Sequence, residues 1–298
     1  MSALLKRRNI FFNLLLSLLI TLPAFIEISC RKLPSPLPEE EEPAVADSTL
    51  TRLHLQNSSK HLIRDVQILV YKSEGTRELE KILLVEELSD SIEFVSTAGE
   101  KLLVAVANYG KALSPVSLGR YDSLSELGFD FSDEDFEYPV MSGECSTLGN
   151  KGEISLVPLL CTVEIESISN TLEDYELLGS PRVRLAGING YASLMQTGEF
   201  YPTEIIDYGQ WEDLPYDVGM FTQYPGTELY CYPNQTSETS IGGTATSLEL
   251  ECEILGELCD FKIALPPFGR GSRLLVEITV DGPDSYTSRV SVERPSAT

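Results

Sequence analysis

Between residues 51 and 292 the apolar positions fall mostly into short runs, many alternating with polar ones, set apart by Gly, Pro, Asn, Asp and Ser. A period of two places alternate side chains on opposite faces and is the mark of a strand. Thr51 to Gln56 alternates, with Leu53 and Leu55 on one face. Asp65 to Tyr71 is rich in β-branched and aromatic residues, and Ser73-Glu74-Gly75 is a turn. Ser91 to Val95 and Lys101 to Ala107 also read as strands. The second of these is almost wholly apolar, which predicts a central strand. Arg77 to Leu88 reads two ways. Leu79, Ile82 and Leu83 have helical spacing that Glu86 breaks, and Ile82 to Val85 fits a strand equally. The one helix signal is the capping-box spacing Ser123-x-x-Glu126, which predicts a short helix through Leu127.

Glu153 to Val157 and Leu160 to Ser167 are strong strands, and Arg182 to Leu185 is a shorter one. Residues 196 to 225 read as loop. Five strand signals follow, at Thr227–Tyr232, Ser247–Leu255, Cys259–Leu265, Leu274–Val280 and Tyr286–Val292. Many short strands at regular intervals predict an all-β fold of sandwich type. The expected boundary lies near residue 158, giving a first sandwich over 48–158 and a second over 159–298.

The first 47 residues follow a different pattern. Lys6, Arg7 and Arg8 precede an apolar run from Ile10 to Ile26, which is the layout of a secretory signal. That run ends at Ser29-Cys30, which resembles the lipobox of bacterial lipoproteins, although Glu27 stands where that pattern usually has Leu. Residues 1–29 are therefore expected to be a signal peptide and Cys30 a lipidated N-terminus. After it, Pro34, Pro36, Pro38 and the run Glu39 to Glu42 predict an extended, self-repelling tether over 30–47. An acidic run in this place also resembles the surface-export signals of some lipoproteins.

Composition narrows the function. The chain of 298 residues carries 22 Lys and Arg against 46 Asp and Glu, a formal charge of −24. Binding nucleic acid requires basic surface that releases counterions, so this balance excludes it as a class. Only His54, His61 and Trp211 represent their residue types. No Gly-x-Ser-x-Gly, His-Glu-x-x-His or phosphate-loop pattern occurs, so neither catalysis nor a cofactor is expected. Asp130, Asp133, Glu134 and Asp135 lack the spacing and glycine of a calcium loop and read as a solvated acidic segment. Asp207, Tyr208, Trp211, Tyr216 and Phe221 form an aromatic and acidic stretch suited to stacking on sugars.

Five cysteines follow Cys30: Cys145, Cys161, Cys231, Cys252 and Cys259. None forms Cys-x-x-Cys, so zinc and dithiol motifs lack support. Cys252 and Cys259 flank a segment centred on Gly256. A hairpin there sets them opposite each other and makes them the candidate disulfide, permitted in an exported chain. Cys161 lies in an apolar run and reads as a buried residue.

The ordered set of segments resembles one family. It comprises Asp65-Val66-Gln67-Ile68-Leu69-Val70-Tyr71, Val104-Ala105-Val106-Ala107-Asn108, Pro139-Val140-Met141-Ser142-Gly143, Ile154 to Ile165, Arg182 to Asn189, and Leu229 to Asn234. Behind a lipoprotein signal and linker, it looks like the fimbrillin-like lipoproteins of Bacteroidota, the shaft, anchor and tip subunits of type V pili. Pro158 to Thr162 departs from the Arg-x-x-Ala-Lys often found there. The resemblance implies two transthyretin-like β-sandwiches in tandem, partnership with other fimbrial subunits by strand complementation, and attachment to the outer membrane through lipid. It also implies, for shaft subunits, cleavage after a basic residue that removes the first strand. Arg52 is the candidate here and Arg64 a second option. No spare donor strand follows Val292, which favours a terminal or anchor subunit. Two other readings stay open: a tip or accessory subunit that meets host or bacterial surfaces, and a surface glycan-binding lipoprotein.

Overall fold

The computed structural model describes residues 47–86, 91–195 and 201–295. The expectations for the signal peptide, Cys30 and, but for Asp47, the tether lie outside the described residues. The described residues form one compact unit.

The first eight strands are β1 (Ser48–Asn57), β2 (Val66–Lys72), β3 (Leu79–Val85), β4 (Ile92–Thr97), β5 (Lys101–Ala107), β6 (Gly128–Asp130), β7 (Met141–Ser146) and β8 (Lys151–Pro158). Seven of them pair in the order β3-β2-β5-β7-β8-β1-β4. All neighbours are antiparallel except β1 and β8, which run parallel. The path folds at β8. Only its last residues, Val157 and Pro158, pair with β7, whereas Lys151 to Leu156 pair with β1. One leaf is therefore β3-β2-β5-β7 and the other β8-β1-β4. Gly143 of β7 sits at the fold, where a Cβ would come within 2.3 Å of the Ser155 carbonyl, so no larger residue fits there.

The expected alternation decides which face each side chain serves. Val66, Ile68 and Val70 of β2, with Leu103, Ala105 and Ala107 of β5, fill the space between the two leaves. Leu69 and Tyr71 of β2, with Val104 and Val106 of β5, face the other way. That second face is covered by Leu113, Leu118 and Leu124, and by Ala192, Leu194 and Tyr232 from later in the chain. β5 is thus central, as its apolar run predicts, and buried on both faces.

The chain leaves these strands through the buried pair Leu159–Leu160. It then forms β9 (Cys161–Asn170), β10 (Gly179–Asn189), β11 (Tyr191–Ser193), β12 (Ile205–Tyr208), β13 (Glu212–Asp213), β14 (Thr227–Cys231), β15 (Ser247–Ile254), β16 (Glu257–Ala264), β17 (Arg273–Gly282) and β18 (Ser285–Glu293). Two sheets result, β14-β9-β17-β18 and β12-β10-β15-β16, with β13 also on β10. A large apolar core fills the space that these strands enclose. The short pair β6–β11 ties the early strands to the later ones.

One open reading is settled and two local expectations are corrected. Arg77 to Leu88 is a strand over 79–85, because pairing with β2 outweighs its helical spacing. The capping box does not form. A 3₁₀ turn spans Tyr121–Glu126, starts from Arg120 without a side-chain cap, and holds Ser123 in its interior. The strand expected at Arg182–Leu185 runs from Gly179 to Asn189, because β15 pairs with its first part and β12 with its last, across an irregularity at Gly187 (φ +66°).

One side chain joins the early and late strands. Arg270 donates through Nη1 to the Leu194 carbonyl (3.1 Å) and through Nη2 to the Ser142 carbonyl (2.7 Å) and the Val157 carbonyl. Burial lowers its pKa to about 10, so it stays charged. Its Nε is enclosed and unpaired among the described residues. Replacing Arg270 by Leu strips several enclosed carbonyls of their donor and is expected to cost about 2–5 kcal/mol in urea unfolding. Lys, with a point charge in place of a fork, is expected to restore only part. A Leu variant as stable as the parent would remove this joint from the account.

Candidate strand-exchange site

β1 is the middle strand of its leaf. It pairs antiparallel with β4 from Ser48↔Thr97 to Leu53↔Ile92, and parallel with β8 from Arg52↔Lys151 to Asn57↔Leu156. Only two of its ten residues are fully buried, Thr51 and Leu53. Leu53 enters the core and Thr51 Oγ1 lies 2.8 Å from Ser96 Oγ. Backbone pairing, more than burial, holds this strand. The same pairing is all that ties the β4 backbone to the leaf. On its far side, β3 side chains take the place of a ladder. Glu80 accepts from the Thr97 amide (2.7 Å) and hydroxyl, and Lys81 donates to the Val95 carbonyl. Buried Lys101 pairs with Glu80 at 3.4 Å. Burial pushes the Glu80 carboxyl up, and these hydrogen bonds and Lys101 outweigh it, leaving the pKa below the usual range.

The two candidate processing residues lie in different settings. Arg52 is mid-strand, with its amide bonded to the Asn150 carbonyl and its guanidinium ion-paired with Glu93. Arg64 is in the segment between β1 and β2, outside any strand, with its guanidinium over the Tyr138 ring (4.1 Å) and 3.3 Å from Asp135. Asn108, held at φ +58°, pins this segment by accepting from the Arg64 amide and donating to the Leu62 carbonyl. A protease needs an extended, unpaired backbone, which only the Arg64 site approaches.

The structure scatters the remaining candidates. Cys252 and Cys259 are register partners across β15 and β16, joined by a turn with Leu255 and Gly256 both at positive φ. Burial raises the thiol pKa of each. Cys161 and Cys231 face each other in the same way across β9 and β14, a pairing that nothing in the sequence singled out. Trp211 lies under Arg184 and Arg182, at 4.2 Å and 4.8 Å, and Arg184 also covers Tyr208. These arginines are ion-paired with Glu249 and Glu251. Trp211 is thus engaged within the protein. Among the described residues no group of three His, Cys, Asp or Glu is placed to hold a metal.

The acidic segment is not wholly solvated. Glu134 turns inward, accepts from the Val140 amide (2.8 Å) and from the Tyr232 hydroxyl, and rests among Phe131, Phe136 and Tyr230. Burial pushes its pKa up to about 7.

No protein-family profile matches the sequence, and no curated protein matches it. Solved structures do. A cell adhesion protein of Bacteroides eggerthii superimposes with a TM-score of 0.62 at 13% identity, over 83% of this chain and 96% of its own. A fimbrilin of Porphyromonas gingivalis gives 0.58 at 10% identity, over 81% and 96%. A tip fimbrial protein of the same organism, truncated at its C-terminus, gives 0.56 at 11%, over 83% and 98%. This chain shares their fold.

Two predictions follow from these geometries. Brief treatment of the folded protein with an arginine-specific protease is expected to cut after Arg64 and spare Arg52, with Asn108→Ala speeding the cut. N-terminal sequencing that finds Leu53 first would reverse the assignment. The second concerns pH. A carboxyl whose folded pKa is raised holds a proton that the unfolded chain releases, so its share of stability falls as pH rises from the usual 4.5 to about 7. Glu134→Gln is therefore expected to gain stability relative to the parent between about pH 5 and about pH 8. Parallel unfolding curves at both pH values would show that Glu134 is not the titrating group.

Proposed function

We propose that this chain is a subunit of a surface fimbrium, of the anchor or assembly-regulating type. In this reading Cys30 carries the lipid that holds it at the outer membrane. The body is two sandwiches, 48–158 and 159–298, and it joins other fimbrial subunits by strand complementation. The observation that carries the reading is the seat of β1. It is a lightly buried strand, paired on both edges, that ends at an exposed arginine-bearing segment. Withdrawal of such a strand frees the backbone groups of β4 and β8, and an incoming strand restores them while its alternate side chains set the register. The fold shared with the fimbrilin and the tip fimbrial protein supports the same assignment.

Cys30 and β1 both precede Arg64 in the chain. A cut there removes lipid and strand together, so a subunit that stays uncut keeps both. This is the arrangement an anchor requires. A second reading, a tip or accessory adhesin, is supported by the tip fimbrial and cell adhesion neighbours. Neither reading assigns the chain a catalytic step.

Deletion of the gene, followed by electron microscopy and assay of shed subunits, separates these readings. Long or detached fimbriae are expected, together with movement of a Cys30→Ala variant out of the membrane fraction. Attached fimbriae of normal length with weakened adhesion would favour the tip reading. Unchanged fimbriae and adhesion would refute both.

A further inference from the structure

A groove of about 680 Å³ opens beside β12 and β14, the outer strands of the two later sheets. Its apolar floor is Leu185, Ile188 and Leu229, members of the core. Aromatic rings stand along it. Phe136 stacks on Tyr230 with centroids 4.9 Å apart, and Phe131 leans on Phe136 at 5.7 Å. Tyr208 of β12 lines the groove and is exposed to 59%, with Arg184 over one face of its ring at 4.2 Å, so the opposite face is the one open to a ligand. Glu134, Glu212, Glu228 and Gln210 also line it.

These groups define what fits. Among the described residues no Lys or Arg lines the groove itself, and Lys60 and Arg184, which touch its Glu228 and Tyr208, are already ion-paired, so the lining offers an anion carboxylates and no cation of its own. A cation gains little beyond Glu212, the remaining lining carboxylate. Glu228 is already paired with Lys60, and the raised pKa of Glu134 leaves it partly protonated near neutrality. What remains is acceptor oxygens and aromatic surfaces over an apolar floor. A matching ligand brings hydroxyl donors around its edge and C–H faces above and below, without net charge. Its size is that of roughly two or three sugar rings, given the usual volume of small-molecule sites.

We propose that this groove is a binding site for a neutral oligosaccharide, with Tyr208 and Phe136 as stacking platforms and Glu212 and Gln210 as hydroxyl partners. The site lies apart from β1 itself, although Lys60 and His61 just after β1 touch its Glu228 and Tyr230, and Trp211 does not line it. Trp211 supports it only indirectly, through the Arg184 that Tyr208 and Trp211 share.

The test is a printed array of neutral, sialylated and sulfated glycans probed with the purified body, 47–298, followed by calorimetry on the best neutral oligosaccharide. Neutral glycans are expected to bind. Tyr208→Ala is expected to weaken binding roughly tenfold and Tyr208→Phe to leave it intact, because the ring face and not the hydroxyl is the platform. Phe221→Ala, outside the groove, is expected to change nothing. Circular dichroism of each variant separates loss of the platform from loss of the fold. The proposal fails if no neutral glycan binds, if only acidic glycans bind, or if folded Tyr208→Ala binds as well as the parent. It fails too if a peptide with the sequence of residues 48–57 occupies the groove in place of saccharide.

Discussion

Much of the body depends on how Arg270 satisfies backbone carbonyls where three segments meet. Ser142 is in β7, Val157 in β8 and Leu194 just past β11, and their carbonyls converge on one guanidinium. Carbonyls enclosed without a donor are costly, and so is an enclosed cation without acceptors, so each side of the contact makes the other tolerable. Arg270 has no carboxylate partner among the described residues, which leaves its fork free to span strands from both parts of the chain. The core formed by Leu69, Val104, Leu159, Leu194 and Tyr232 packs around this meeting point. A point charge such as Lys would not reach all three segments with fixed geometry.

The same fold in the sheet path that creates this junction also isolates β1. Because β8 turns from one leaf to the other, β1 pairs with the part of β8 that has left β7. β4 then has a backbone partner only in β1, and its outer groups are met by Glu80 and Lys81. The leaf therefore has two kinds of bond. One is a ladder that another strand could reproduce; the other is a set of side-chain contacts specific to this chain. Exchange of a strand here would act on the first kind and leave the second in place.

How much of this was legible in the sequence depends on range. The β-branched and aromatic content of β2 and the apolar run of β5 report local burial, and both strands were read correctly. The hairpin at Gly256 was legible because two left-handed residues are a local demand. β7 was not, since Ser142, Gly143, Glu144 and Ser146 carry no strand signal. They are strand because β5 and β8 lie on either side, and Gly143 is there to let β8 pass. Arg270 in Phe-Gly-Arg-Gly-Ser had no pattern to mark it, because its partners lie 76, 113 and 128 residues away. The aromatic stretch around Trp211 was seen as a surface. What composition could not show is that Arg182 and Arg184 already occupy the tryptophan.

The segment after β1 raises a question of energetic order. It carries Lys60, which pairs with Glu228 on β14, and His61, whose ring meets Tyr230 edge-on at 6.4 Å. Departure of β1 would disturb these contacts as well as its own ladder, and so bear on how the early and late strands hold together. The magnitudes decide the outcome. Lys60 is more than half exposed, and such pairs are worth about 0–1 kcal/mol each. The Arg270 contacts and the apolar core around them are enclosed, and each lost group there costs roughly 1–3 kcal/mol. The body is therefore built to lose the contacts of the 58–64 segment before those of the junction. A subunit that exchanges its first strand must yield at one edge while the rest stays folded, and this ordering meets that requirement.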